Sequence, residues 1–130
     1  MKEQAQRKEA ARIFAIEAAR LAANTRCHSV VVLDVSGLSP VTDYFVIATG
    51  TSPRQMRSVA DEIAEFGETR QFKPLTASGL EGGSWMLVDF VDVIVHLFSQ
   101  DARQYYDLDN LWGDAKRIDW EPQPTPSNPA

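Results

Sequence analysis

Apolar positions recur at steps of three and four through the first 23 residues and then switch to short unbroken runs, so the chain starts as a helix and continues as strands. In Glu3 to Ala23, Ala10, Phe14, Ala18 and Leu21 form one stripe, with Arg7, Arg12 and Arg20 on the other face. Val30, Val31, Val32, Leu33 and Val35 are a β-branched run stopped by Ser36 and Gly37, which reads as a buried strand. Tyr44 to Thr49 is a second strand, apolar enough to be interior with both faces covered. A helix start follows: Ser52 can cap it, Pro53 suits its first position, and Gln55 completes a capping box. Met56, Val59, Ala60, Ile63 and Phe66 form its apolar face, and Gly67 signals its end. Phe72 to Ala77 is a weaker strand, the glycines at 79, 82 and 83 mark a loop, and Trp85 to Phe98 reads as two strands. Short helical or turn segments follow. The order predicts a single α/β domain, residues 1–120, with a mixed sheet flanked by helices, followed by a Pro-rich extended tail, residues 121–130.

Alternation within residues 85 to 98 sorts side chains more finely. If Phe90 and Val91 turn the chain, Asp89 faces Asp92, Leu87 faces Ile94 and Trp85 faces His96, all on one side of the pair. Met86, Val88, Val93, Val95 and Leu97 fill the other side, which is wholly apolar and belongs in the core. The Trp85 side is either covered by the protein's own first helix, whose arginines would partner the aspartates, or open to a cationic partner. Tyr105, Tyr106, Leu108, Leu111 and Trp112 read first as helical core residues.

Charge changes the picture next. The chain has 130 residues and a net charge of −5, but residues 1–26 hold six Lys/Arg against three Asp/Glu, so the remainder carries −8. From Ser84 to Asp114 there are six Asp and a single Arg, Arg103, among two Trp and two Tyr. Such a surface repels phosphate backbones and suits a basic protein partner, so little direct nucleic-acid contact is expected. No signal peptide or membrane span is evident, and a cytoplasmic protein is expected. The lone Cys27 reads as a small core residue.

Candidate chemistry is sparse. The turn at Thr49 to Ser52 presents helix-terminal amides to a phosphate, but it lacks a P-loop lysine, and Ser52 can simply be a cap. Two-metal nucleotidyl transfer needs carboxylates held together. Asp89 and Asp92 fall on opposite faces of a continuous strand, although a turn between them could bring them together, and Asp107 and Asp109 diverge if that segment is helical. His28 precedes the first strand, His96 lies within an apolar run, and neither has a second His at metal spacing. No catalytic residue, metal or cofactor is assigned.

The runs TDYFVIATGTSPRQ at 42–55, WMLVDFVDVIVHLF at 85–98 and RQYYDLDNLW at 103–112 together resemble the ribosomal silencing factor, or Iojap-like, family, over about residues 10–115. That resemblance implies a nucleotidyltransferase-like α/β fold without enzymatic activity. It also implies a translational repressor that binds the large ribosomal subunit through ribosomal protein fourteen and blocks joining of the small subunit. A metal-dependent nucleotidyltransferase is the alternative. By position Trp85 matches the family's interface tryptophan, with Leu87 and Asp89 beside it, and the resemblance also assigns Asp92, His96, Tyr105 and Tyr106, which fall in the family's signature runs, to the partner-binding interface or its support. The resemblance leaves room for a homodimer when the protein is free. Similar proteins commonly have Gly where this chain has Val91, a β-branched residue that resists positive φ, so a wider or bulged turn is expected there.

Overall fold

The computed structural model describes residues 2–122. Helix α1 (Lys2–Asn24) leads into β1 (His28–Asp34) and β2 (Tyr44–Thr49), and then α2 (Pro53–Thr69), β3 (Thr76–Ser78), β4 (Trp85–Asp89) and β5 (Val93–Phe98) follow. Two short helices, α3 (Gln100–Tyr106) and α4 (Leu108–Leu111), precede a last strand, β6 (Lys116–Ile118). The six strands form one mixed sheet in the order β3-β4-β5-β2-β1-β6. Only β2 and β5 run parallel; the other neighbours are antiparallel. This is the single-domain α/β architecture that the sequence implies.

The two long helices cover the same face. Ala11, Phe14, Ala15, Ala18, Ala19 and Ala22 of α1 are buried, so the stripe is rotated from the expected one, and Ala10 is exposed. Alanine at these positions lets the helix lie close to β1 and β2 without displacing the sheet's own side chains. Met56, Val59, Ala60 and Ile63 of α2 complete the cover, and Met86, Val88, Val93, Val95 and Leu97 meet them from below. The apolar side assigned to the 85–98 hairpin is therefore core, as its alternation requires.

Local chemistry fixes the ends of α2. Ser52 Oγ accepts the Gln55 N–H at 3.0 Å, with Pro53 next to the cap. Gln55 reaches back to Thr51 N–H and also donates to the Thr25 carbonyl at 2.7 Å, which ties the helix start to the end of α1. Gly67 does not end the helix, which runs on to Thr69. Its missing side chain serves packing: a Cβ there would lie 2.5 Å from the Phe72 carbonyl oxygen and 2.7 Å from the Phe90 ring. The stop comes from Gln71 at φ +65, where the amides of Gln71 and Phe72 return to the Glu68 and Gly67 carbonyls in a Schellman arrangement. Phe72 thereby leaves the expected strand and stacks on Phe14 at 4.8 Å, and β3 begins only after Pro74.

The hairpin register differs from expectation by two residues. Asp89 pairs with Ile94, Leu87 with His96 and Trp85 with Phe98, because the loop is Val91–Asp92 and not Phe90–Val91. Phe90 is 2% exposed and meets Phe14 edge-on at 4.9 Å, which draws it out of the turn and into the core. An even shift leaves each side chain on its assigned face. It does separate Asp89 from Asp92, so no pair of opposed carboxylates exists there. Nor is the turn widened. Asp92 N–H donates to the Phe90 carbonyl at 3.0 Å, with Val91 between them at φ +75 in the strained form of a γ-turn.

β6 was not apparent in the sequence. It pairs with β1, and beyond it Trp120 donates its indole N–H to the Val30 carbonyl at 2.9 Å while Arg20 donates to the Trp120 carbonyl. Most of the expected Pro-rich tail, residues 123–130, lies outside the described residues. Relief of the Val91 backbone gives a direct check of the turn. Val91→Gly should stabilise the protein by about 1 kcal/mol, read as a higher denaturant midpoint at unchanged m-value. Gly67→Ala should destabilise it by about 2 kcal/mol or more, since the colliding Phe72 carbonyl is backbone.

Candidate functional site: an open aromatic face of the sheet

The second face of the sheet receives only the short helices. Strand alternation directs Trp85, Leu87 and Asp89 from β4, and Ile94, His96 and Phe98 from β5, away from α1 and α2. Toward β1 and β2, this face is closed by Leu108 and Trp112, the latter edge-on to Phe45 at 5.2 Å. Toward β3 it stays open. Thr76 and Ser78 pair with Asp89 and Leu87 there and are exposed, while Trp85, Leu87 and Asp89 are half-buried. The first helix does not cover this side, which removes one of the two arrangements the sequence allowed.

Trp85 is held firmly. Its indole N–H donates to His96 Nδ1 at 3.1 Å, and its ring packs against Phe98 at 5.0 Å and Tyr106 at 4.5 Å. The donor is thus used internally, and the indole offers carbon surface to the outside. His96 is 5% exposed, edge-to-face with Phe45 at 4.8 Å, so it supports the face from beneath. Since Nδ1 accepts, the neutral imidazole carries its proton on Nε2, which is buried without a partner among the described residues. Burial lowers its pKa to about 4.

The residues after β5 divide in two. Leu108 and Trp112 pack as core, but Tyr105 is 82% exposed, Leu111 72% exposed and Tyr106 close to half exposed. Tyr105 stands edge-on to Tyr106 at 5.0 Å. Trp85, Leu87, Tyr106 and Tyr105 therefore form an aromatic-apolar ridge that the described residues leave uncovered. Asp89 lies at its edge, with Oδ1 accepting the strained Val91 N–H at 2.7 Å. Asp92 is not on the ridge: it sits at the sheet end, where Arg7 Nε meets its carboxylate at 2.6 Å.

The other candidates have internal roles. Asp109 is gripped by Arg103 through Nε and Nη2 at 2.9 and 3.0 Å, while Asp107 is an exposed left-handed residue between two helices. Burial alone would raise the Asp109 carboxyl, but the Arg103 hydrogen bonds and charge hold it below the usual carboxylate range. No group of three or more His, Cys, Asp or Glu among the described residues could hold a metal ion. At the glycine turn, Ser52 is the helix cap, and a Cβ on Gly50 would collide with Met56, so that glycine serves packing. Cys27 is a buried free thiol whose pKa burial raises. No described helix is long and apolar enough to cross a membrane.

A family model described as "Ribosomal silencing factor during starvation" matches residues 7–130. The chain belongs to the ribosomal silencing factor family. The match takes in the C-terminal residues that the sequence motifs left out. A ribosomal silencing factor of Bacillus subtilis is 39% identical over 94 residues, which is 72% of this chain and 80% of that one. The chloroplastic protein Iojap of Arabidopsis thaliana is 32% identical over 117 residues, 88% of this chain but 49% of its own longer length. Among solved structures, a Chromobacterium violaceum protein superposes with a TM-score of 0.71 at 30% identity, covering 88% of both chains. A Bacillus halodurans structure gives 0.67 at 28% identity, covering 92% of this chain and 99% of that one.

The buried His96 predicts a pH dependence for this family member. Its folded pKa of about 4 lies below the ordinary 6.5, so the stability it allows is complete above pH 6.5. As pH falls through that value, the unfolded chain takes up a proton that the folded protein refuses. Stability should therefore drop by about 2 kcal/mol between pH 6.5 and 5, and His96→Gln should remove most of that slope in denaturant melts at the two pH values.

Proposed function

We propose that this protein represses translation by docking on the large ribosomal subunit through ribosomal protein fourteen, where its bulk keeps the small subunit from joining. The observation that carries this reading is the uncovered ridge of Trp85, Leu87, Tyr105 and Tyr106 on one half of the second sheet face. A large aromatic such as Trp85, whose indole N–H is already bonded, suits the centre of a protein interface, where a few such residues supply most of the binding energy. Asp89 and the exposed Asp107 beside Tyr106 add negative charge at its edge. A basic ribosomal protein would complement that charge, and the names of the relatives as ribosomal silencing factors support a role at the ribosome. His96 belongs to the site as the support under Trp85, and Asp92 as part of the end of the hairpin that presents it.

The role proposed is that of a binding protein and not an enzyme. The nucleotidyltransferase alternative needs carboxylates free to hold cations, whereas Asp109 is occupied by Arg103, and Asp89 supports a turn. Its place of action would be the cytoplasm, on ribosomes, with nucleic acid contacted little.

Binding to isolated large subunits tests the surface by co-sedimentation and by association kinetics. Trp85→Ala should weaken binding by about 2 kcal/mol or more, roughly 30-fold, while Trp85→Phe should retain more of it because the exposed contribution is carbon. Asp89→Asn is the cleaner charge test, since the amide oxygen can still accept the Val91 N–H. It should slow association several-fold and flatten its salt dependence with little change in dissociation. Wild-type binding by both Trp85→Ala and Asp89→Asn would discard this face.

A further inference from the structure

Arg103 is the only Lys or Arg between Ser84 and Asp114, and it is among the least exposed cations of the molecule, with a side chain 12% accessible. Four of its hydrogen bonds are formed. Nε and Nη2 fork onto the two oxygens of Asp109, and Nη1 donates to the Ser29 carbonyl at 2.7 Å and to Thr49 Oγ1 at 2.9 Å. One guanidinium therefore joins α3 to α4, to the irregular start of β1 and to the end of β2.

This placement matters because α3 and α4 have little else to hold them. Helices of seven and four residues are too short to be stable alone. Each buries one side chain, Ala102 and Leu108. Between them the chain turns through Asp107 at φ +47, a left-handed conformation that a non-glycine residue adopts at a cost. Tyr106 is the last residue of α3, one turn along from Arg103, and its ring lies on Trp85. If α3 tilted, Tyr106 would leave Trp85 and the ridge would lose its shape.

We infer that Arg103 is a positioning residue of the docking ridge: its fork on Asp109 and its bonds to Ser29 and Thr49 lock α3, and so set Tyr106 against Trp85. The inference rests on the docking reading for its consequence and on the geometry of the clamp for its cause. A planar five-donor fork is required, because an ammonium has three donors on one atom and cannot make these four bonds, two of them a bidentate grip on Asp109, from a single point.

The test uses Arg103→Lys, which keeps the charge pair, with Asp109→Asn as a second variant that weakens the same fork from the other side by removing the carboxylate charge while its amide oxygen still accepts one N–H. Three measurements are made: affinity for isolated large subunits, the Trp85 indole N–H resonance, and thermal stability. Arg103→Lys should weaken binding about tenfold and move the Trp85 resonance in the direction that Tyr106→Ala moves it. In the Tyr106→Ala background, Arg103→Lys should add less than about twofold, since its effect passes through that ring. A variant that is less stable yet binds normally with an unmoved resonance overturns the inference. So do losses that multiply fully in the double variant. If Trp85→Ala binds as the wild type does, the docking reading fails on its own. The clamp then stands or falls on whether Arg103→Lys and Tyr106→Ala shift the Trp85 resonance alike.

Discussion

The seating of Phe90 against Phe14 is the contact on which the rest of the presented face depends. Phe14 also stacks on Phe72 and lies 6.1 Å from Phe66, so a single ring of α1 gathers the end of α2, the approach to β3 and the β4–β5 turn. With Phe90 committed to that cluster, the hairpin reverses at Val91 and Asp92, and every partner of β4 on β5 is fixed. The energy for the strained turn comes from here. A positive φ at a β-branched residue costs about 1–2 kcal/mol, whereas burying a phenylalanine contributes several, so the aromatic cluster decides and the backbone complies.

A second consequence is the unequal cover of the sheet. Both long helices lie on one face because the β2–α2–β5 crossover and α1 both pack there, and among the described residues only short segments meet the other. Those segments close the β1–β2 side with Leu108 and Trp112 and stop at Tyr106. The β3–β4 side stays uncovered. There the fold satisfies its polar atoms first: the Trp85 indole is bonded to His96, and Asp89 to the Val91 amide. An open surface built in this way is apolar at its centre and, among the described residues, leaves only the far nitrogen of His96 as a buried donor without a partner.

How much of this was legible depended on whether the deciding signal was local. The Ser52–Pro53–Gln55 start of α2, the unbroken apolar run of β2 and the two-sided alternation of residues 85–98 are carried by neighbours in sequence, and all three hold. Three features fail for the opposite reason. Gly67 looks like a stop because glycine ends helices locally, but a ring 23 residues away makes it a packing position. The hairpin register needed the knowledge that Phe90 has a partner in α1. β6 has three residues, two of them charged, and exists because β1 offers an edge. Alternation put Trp85, Leu87 and Asp89 on the ridge side, while helical spacing read Tyr105, Tyr106 and Leu111 as core, since it cannot say which side a short helix turns outward, and only the family resemblance assigned the two tyrosines to the interface or its support. Arg103 gave one hint, as the lone cation in an acidic stretch, and that hint needed the geometry of Asp109, Ser29 and Thr49 to acquire meaning.

The charge of the segment also changes meaning once its partners are known. Composition assigns six aspartates to residues 84–114 and invites the picture of a uniformly acidic face. Two of them are neutralised within the molecule: Asp92 by Arg7 and Asp109 by Arg103. Asp89 supports the turn, although it stays half-exposed. Asp101, Asp107 and Asp114 are left exposed along the α3–α4 segment. Rim charges of this kind steer encounter and suppress wrong partners more than they deepen affinity, because water and salt screen them. In the proposed docking the affinity would come from the aromatic ridge they surround, and the partly buried Asp92 and Asp109 are already paired within the molecule, at the hairpin end and beneath the short helices.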